Sequence, residues 1–390
     1  MQTHQDLNVG KINTLQIVAA VIIGSIAVLI AGLQPILLGE LANSGNVSME
    51  GVGLVAMAEI IAIGIGVVIG NALLPLQHLR RSIVVASVMT ASLDAATIFC
   101  MGDSGLTTVR AAAGLSEGLL IWGITNVIVR SENPSRIGGL YFIAQTAAQA
   151  TVAAVLASAV IPLAGWRGGF ILLACLSLIP CALVRMLPTH MFPLERDPAS
   201  SFFWSRLEAS ALIVVFLQLA AIGSFWAYLE ALGHAIGFAS KDAQSVVSMS
   251  LFMQLLGCCA ATWAVRFVRD VLMLLSGTLV IGAAGFVVYC LVPGSSVQFV
   301  LACGTFGFAA IFLLPFQISL AFRVDPTGRV AMVVPALQLL GSAFGPLVAS
   351  LSVHGDNVGS VPLISAGFAV AALAFLPNDR VRSRVGGTST

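Results

Sequence analysis

Five ionisable side chains, Glu59, Asp94, Arg110, Glu117 and Glu230, each stand inside a long apolar run. A charge at the centre of a hydrocarbon layer costs roughly 2.5–3.5 kcal/mol on insertion scales, so each needs a partner or a task. Asp94 lies eight residues before Gly102 and Arg110 eight residues after it. In an antiparallel hairpin turning at Gly102, both sit at one depth, about 12 Å from the turn at 1.5 Å per residue. They are expected to pair, either as a structural ion pair or with Asp94 holding the Arg110 guanidinium in place at a central cavity. Glu117 follows Arg110 by seven residues, two turns along on nearly the same face. Across the hairpin at its depth stands Ser87, which supplies no countercharge. A lone carboxyl in a low dielectric can bind and release a proton near neutral pH, as proton coupling requires. The alternative is a glutamic acid kept protonated against a backbone group.

Glu59 falls near the depth of Gln34 and Pro35 across the first hairpin, as a second coupling carboxyl or an outer-gate contact. Glu230, beside Trp226 and Tyr228, belongs near the outer end of the seventh run. Aromatic belts occur there, and interface anchoring competes with a cavity role. Glu40 marks the outer end of the first run and is expected to be solvated. Gln34, Asn126, Gln145, Gln149, Gln254, Gln317 and Gln338 hold mid-run positions from which an amide could hydrogen-bond a substrate. Gly66-x-x-x-Gly70 and Gly114-x-x-x-Gly118 have the spacing of close helix packing.

Composition dictates the elements that carry these residues. The chain has 390 residues, 58% hydrophobic and 9% charged, against about 25% charged in a soluble domain. So few polar groups could not cover a surface in water, and the chain is integral to a membrane. A spanning helix needs about 20 apolar residues. Apolar runs fall at 14–40, 51–75, 82–101, 106–129, 138–163, 168–186, 209–232, 243–265, 271–292, 297–321, 328–352 and 359–376. Turn formers such as Gly102-Asp103-Ser104 and Pro293-Gly294-Ser295 separate them. Fifteen of the 18 Lys and Arg residues fall in alternate loops or tails, and the opposite loops hold Arg167 and Lys241. The positive-inside rule then makes both termini cytoplasmic. A net charge of +1 and no basic tract argue against a nucleic-acid partner. All seven cysteines lie in apolar runs and imply no disulfide framework. The polar segment 1–13 is not a cleavable signal.

The polar stretch 187–208 divides the chain into bundles at 14–186 and 209–376, with cytoplasmic tails at 1–13 and 377–390. An internal repeat supports the division: Gly45 to Met57 has the pattern of Gly237 to Met249 at an offset of 192. Six helices plus six is the plan of a transporter whose lobes rock about a central site. There is no Gly-x-x-x-x-Gly-Lys-Ser/Thr loop for direct use of ATP, and no His-Glu-x-x-His or Gly-x-Ser-x-Gly element for an intramembrane enzyme. No cofactor is implied.

Arg110-Ala-Ala-Ala-Gly114, Asn133-Pro134-Ser-Arg136, Gly165-Trp166-Arg167 and Gly328-Arg329 followed by Gly345-Pro346 resemble motifs of the major facilitator superfamily, in order and across nearly the whole chain. The resemblance implies an all-α polytopic fold of twelve transmembrane helices in two six-helix pseudo-symmetric bundles. It places Arg110 at the central cavity and makes Arg80, Arg81 and Arg136 the cytoplasmic gate. Two departures stand out. The loop after the second run keeps Gly70 and Arg80-Arg81 but lacks the family's Asp, and Ala144 to Ala150 is Ala-rich where drug/proton antiporters carry Gly-Pro.

The function expected is proton-coupled export of a small, partly hydrophobic organic compound across the cell inner (plasma) membrane. A monomer in the lipid bilayer would suffice, with Glu117 and Glu59 carrying protons. The alternative is proton-coupled uptake of a small organic acid, with Arg110 binding its carboxylate. Met249, Met253, Cys258, Cys259 and His234 supply soft ligands and raise copper transport as a third reading. A non-transporting scaffold on the same fold is a fourth.

Overall fold

A computed structural model describes residues 12–189, 191, 205–265, 267–325 and 328–377, and these build helices joined by short turns. Most of both tails and of the 187–208 linker lie outside the described residues, as do Lys11, Arg196, Arg266, Arg380, Arg382 and Arg384 of the loop-charge pattern. The first run is two helices, α1 (Thr14–Ala27) and α2 (Leu29–Asn43), broken at Val28. Then come α3 (Met49–Leu73), α4 (Leu79–Thr97), α5 (Gly102–Val129) and α6 (Pro134–Val155). A π-helical turn at 156–160 leads into α7 (Ile161–Leu176), which is kinked at Gly165 (φ 59°), and α8 (Ile179–Leu183) follows. The seventh run is again broken, at Tyr228, into α9 (Arg206–Ala227) and α10 (Leu229–Ile236). The chain continues through α11 (Ser240–Ala264), α12 (Asp270–Cys290), α13 (Ser296–Val324), α14 (Arg329–Ser350) and α15 (Val361–Phe375).

Each of the twelve apolar runs therefore coincides with helix. Among the described residues, nine helical stretches are long and apolar enough to cross a membrane, and one of them, Arg136–Met186, contains the kink at Gly165. Outside that criterion stand α4, which carries Arg80, Arg81 and Asp94, and the 15-residue α15. The main shift from expectation is at the seventh run. It continues to Ile236 before Gly237 (φ 102°) ends it, carrying Glu230 and His234 on helix.

The outer turns repeat. Gly45 (φ 72°) pairs with Gly237 (φ 102°) and Gly102 (φ 76°) with Gly294 (φ 95°), each pair 192 residues apart. Only glycine adopts this left-handed backbone freely. The Gly102 N–H donates to the Asn46 carbonyl and the Gly294 N–H to the Ile236 carbonyl, both at 2.9 Å, so each turn pins the one before it.

Backbone carbonyls inside the first run are used for packing. Pro35 has no N–H to offer the Ala31 carbonyl one turn back. That oxygen accepts from Trp226 Nε1 of α9 at 3.0 Å; the Val28 carbonyl, at the N-cap of α2, accepts a further bond from Gln149 Nε2 at 2.7 Å. In apolar surroundings a freed carbonyl needs such a donor.

Between helices in lipid, close van der Waals packing replaces the hydrophobic drive. The α3–α5 contact is the most extensive, and it is made by the two glycine pairs. A Cβ at Gly118 would lie 2.8 Å from Gly66 Cα and 2.9 Å from Val67 N; one at Gly114 would lie 3.1 Å from Ala62 Cβ. Gly118→Leu is expected to lower stability by about 1–3 kcal/mol, the usual cost of overpacking. Thermal unfolding of the purified protein measures it. Gly105→Ala, with open space around its new methyl group, should leave the melting temperature unchanged or raised.

Candidate functional site

Four of the five intramembrane charges meet. Arg110 of α5 is fully buried. Its Nε donates to Glu59 Oε1 at 2.7 Å, its Nη2 bonds the same oxygen, and its Nη1 donates to Asp94 Oδ1 at 2.6 Å. The hairpin register thus places Asp94 and Arg110 together. The larger contribution comes from Glu59 on α3, which counting along one hairpin does not give. Gly114 explains it. One turn along α5 from Arg110, it lets the α3 backbone at Glu59 approach to contact, delivering the Glu59 carboxyl to the guanidinium.

The other oxygens are satisfied unevenly. Glu59 Oε2 accepts from Gln34 Nε2 at 3.1 Å, as their common depth suggested, and Asp94 Oδ2 accepts from Ser177 Oγ at 3.1 Å. Phe170 covers the guanidinium, with its ring centroid 5.4 Å from Cζ. Glu117 Oε1 lies 3.5 Å from Arg110 Nη2, so Glu117 is not the isolated carboxyl expected. The long Arg110 side chain reaches two turns along its own helix. Glu117 Oε2 is buried without a hydrogen-bond partner. Ser87 instead donates to the Ser177 carbonyl. Three carboxyl groups thus face one guanidinium, a surplus of two negative charges if all ionise. Uncompensated buried charge costs several kcal/mol, and proton uptake removes it.

A second polar group joins the two halves at the sparsely basic, outer side. Asn43 Nδ2 of α2 lies 2.9 Å from His234 Nε2 of α10. Gln244 Nε2 of α11 donates to Glu40 Oε1 at 2.5 Å and to Glu230 Oε1 at 3.1 Å. Glu230, expected as a cavity or anchoring residue, is fully buried here, because α10 extends past it and packs on α2 and α11. Glu40 is half-buried and paired through Gln244, not solvated. The Gly355 N–H donates to Glu50 Oε1 at 2.9 Å, a further contact between the halves.

A cavity of about 480 Å³ opens toward the basic side. Gly138, Gly139 and Phe142 of α6 form one wall, and α11, α13 and α14 form the others through residues such as Thr262, Pro315 and Gln338. Of the expected cavity residues, Gln338 is in this lining. Arg110, Asp94, Gln34, Asn126, Gln145, Gln149, Trp226, Glu230 and Gln254 are not. Asn126 donates to the Trp122 carbonyl and accepts from Arg130 Nη1 at 2.8 Å, Gln149 and Trp226 donate to the Val28 and Ala31 carbonyls, Gln145 is half-buried and Gln254 buried. Gln218 and Thr278, bonded in a line with Gln317 and Gln338, escaped the sequence reading. A lone Gln or Thr in an apolar run was their signal.

At the basic side Arg80 donates through Nε to the Leu187 carbonyl at 2.8 Å, tying the start of α4 to the end of the sixth run. Arg81 and Arg136 are exposed. Met249 and Met253 pack against Gly304, with Met249 Cε 3.4 Å and Met253 Cγ 3.8 Å from a Cβ built there. Among the described residues no group of three or more His, Cys, Asp or Glu side chains could hold a metal ion.

Solved transporter structures have this architecture. A variant of the nucleoside transporter NupG superposes with a TM-score of 0.73 at 16% identity, over 92% of this chain and 98% of that one. A bacterial homologue of the human lysosomal transporter Spinster, in an inward-facing and occupied conformation, gives 0.67 at 13% identity over 94% and 96%. The xylose transporter XylE from E. coli, partially occluded and inward open, gives 0.67 at 13% identity over 93% and 100%. At these identities the likeness is one of fold. No protein-family model matches the sequence, and no curated protein does. The chain is a multi-pass membrane protein with the major facilitator type of fold.

Proposed function

We propose that the chain is a secondary transporter of the inner (plasma) membrane, not an enzyme, that exports a small, partly hydrophobic compound in exchange for protons. The halves at 14–186 and 209–376 move against each other in alternating access, both termini are cytoplasmic, and a monomer suffices. The observation that carries proton coupling is Glu117. Glu59 and Asp94 are each paired at both oxygens, whereas the buried Glu117 Oε2 has no donor and is the atom at which the surplus proton of the cluster fits. Glu59, bonded to Arg110, shares the coupling by setting how strongly that guanidinium is neutralised.

Export is favoured over uptake of an organic acid by the state of Arg110. Its guanidinium is fully buried and bonded to three carboxyl groups, leaving no donor for a substrate carboxylate. The apolar cavity suits a hydrophobic body instead.

Metabolite profiling of cells and medium tests the proposal, comparing wild type with Glu117→Gln at equal expression. A compound that accumulates in the medium with wild type alone is the expected result. Depletion from the medium would reverse the direction to uptake. Equal pools for the two proteins would remove Glu117 as the coupling group.

A further inference from the structure

Four side chains on four helices form one hydrogen-bonded line that ends at the cavity. Thr278 Oγ1 of α12 donates to the Leu274 carbonyl at 2.6 Å. Gln218 of α9 reaches Thr278 Oγ1 at 2.6 Å, Gln317 of α13 reaches Gln218 at 2.8 Å, and Gln338 of α14 reaches Gln317 at 2.8 Å. The first three are buried to within 1% exposure, so water cannot reverse a link.

The direction of the line is set at its buried end. A carbonyl only accepts, so Thr278 commits its one hydroxyl proton to Leu274. The Thr278 oxygen is then an acceptor, and Gln218 must turn its amide nitrogen toward it. The Gln218 oxygen is left for Gln317, which must present nitrogen in turn, and the step repeats at Gln338. A flip at any point would set two oxygens or two amide nitrogens against each other at hydrogen-bonding distance. The free end is Gln338 Oε1, on a residue that lines the cavity. Two neighbours in the wall share its polarity. Pro315 has no N–H for the Ile311 carbonyl, and Thr262 gives its proton to the Cys258 carbonyl at 2.8 Å. Among the described residues, no Asp, Glu, Lys, Arg or His side chain is in this lining.

We infer that the cavity selects an uncharged, largely apolar molecule carrying a hydrogen-bond donor, a hydroxyl or N–H. Gln338 reads that donor, and Thr278 is the positioning residue that sets which way Gln338 faces. The inference rests on the reading of this cavity as the transport site.

The purified full-length protein is titrated, by quenching of its tryptophan fluorescence, with matched aromatic alcohols and their methyl ethers, naphthol and methoxynaphthalene being the first pair. Wild type is expected to bind the alcohol about fivefold more tightly than the ether, the effect of one neutral hydrogen bond. Gln338→Leu should bring the ratio to about one by weakening the alcohol alone. Thr278→Val keeps the side-chain shape but releases the anchor, so the ratio should fall while ether affinity holds; a purely structural role would weaken both ligands together. Equal affinities in wild type, binding of neither partner across the pairs, or an unchanged ratio in both variants would overturn the inference. Absence of export by wild type in cells, with the alcohol preference intact, would count against the transport reading and leave this one standing.

Discussion

Arg110→Met is expected to be the most damaging single substitution in the chain, lowering stability by about 3–5 kcal/mol, the cost of removing one partner from a buried ion pair. The reason is the arithmetic of the cluster. Glu59, Asp94 and Glu117 all face this guanidinium and are buried with it. Without it they must take up protons or repel one another, because Ser177 has a single donor and the second N–H of Gln34 goes to the Ala56 carbonyl at 3.4 Å. Arg110→Lys should fall between. An ammonium keeps the charge but cannot place separate donors on Glu59 and Asp94, which the planar fork does. Adding Glu59→Gln and Asp94→Asn to Arg110→Met removes two of the three stranded carboxyl groups, leaving Glu117 alone, and should recover part of the lost stability without restoring transport. Melting of the four proteins in one detergent orders them. A melting temperature for Arg110→Met equal to wild type would mean that the cluster does not bear on the fold.

The parts of this cluster that could be read from sequence are those fixed by counting along one hairpin. Asp94 and Arg110 are equidistant from Gly102, and Gln34 and Glu59 share a depth, so 1.5 Å per residue was enough to bring each pair together. Glu59 meeting Arg110 depends on which helix lies against α5, and that is a tertiary choice made by Gly66, Gly114 and Gly118. Their spacing announced a close packing without naming the partner helix. Glu230 shows the opposite difficulty. An apolar pattern that fades near residue 232 reads as a helix end, yet His234 and Gln244 carry polar contacts inward and the helix continues to Ile236. The missing Asp of the loop after the second run has its own local explanation. At the repeat offset of 192 its counterpart is Asp270, which pairs with Arg323 at 2.7 Å, whereas the first half has His78 there and uses Arg80 to cap the Leu187 carbonyl. The amide line from Thr278 to Gln338 could not be assembled in advance, because four lone polar residues on four helices carry no order until the helices are packed.

Cross-linking Asn43→Cys to His234→Cys is expected to abolish transport. The cavity and the outer contacts lie at opposite ends of the same helix: Thr262 in the cavity wall and Gln244 in the outer cluster are 18 residues apart on α11, about 27 Å at 1.5 Å per residue. The halves are thus held together outside while the cavity stands toward the basic side, and substrate can leave outward only if the outer contacts part. The polar contacts there are few, Asn43 with His234, Gln244 with Glu40, Trp226 with the Ala31 carbonyl and Glu50 with the Gly355 N–H, and they stand beside close packing of α3 on α14, where a Cβ at Gly53 would lie 2.8 Å from Ser350 Cβ. At about 0.5–1.5 kcal/mol for a neutral hydrogen bond and about 1.5–3 kcal/mol for one to a charged group, each polar link is weak enough to be broken in every cycle. The double variant before cross-linking loses one neutral contact, so its transport should persist, with the balance of states shifted by about 2- to 13-fold. A short bis-maleimide joining the two thiols, in protein whose seven native cysteines are replaced, turns that weak contact into a covalent one. Export by reconstituted vesicles should then fall to the level of vesicles without protein, while either single cysteine treated alike keeps its rate. Transport that survives complete cross-linking would mean that the halves need not separate at this face, and alternating access about the cavity would have to be given up.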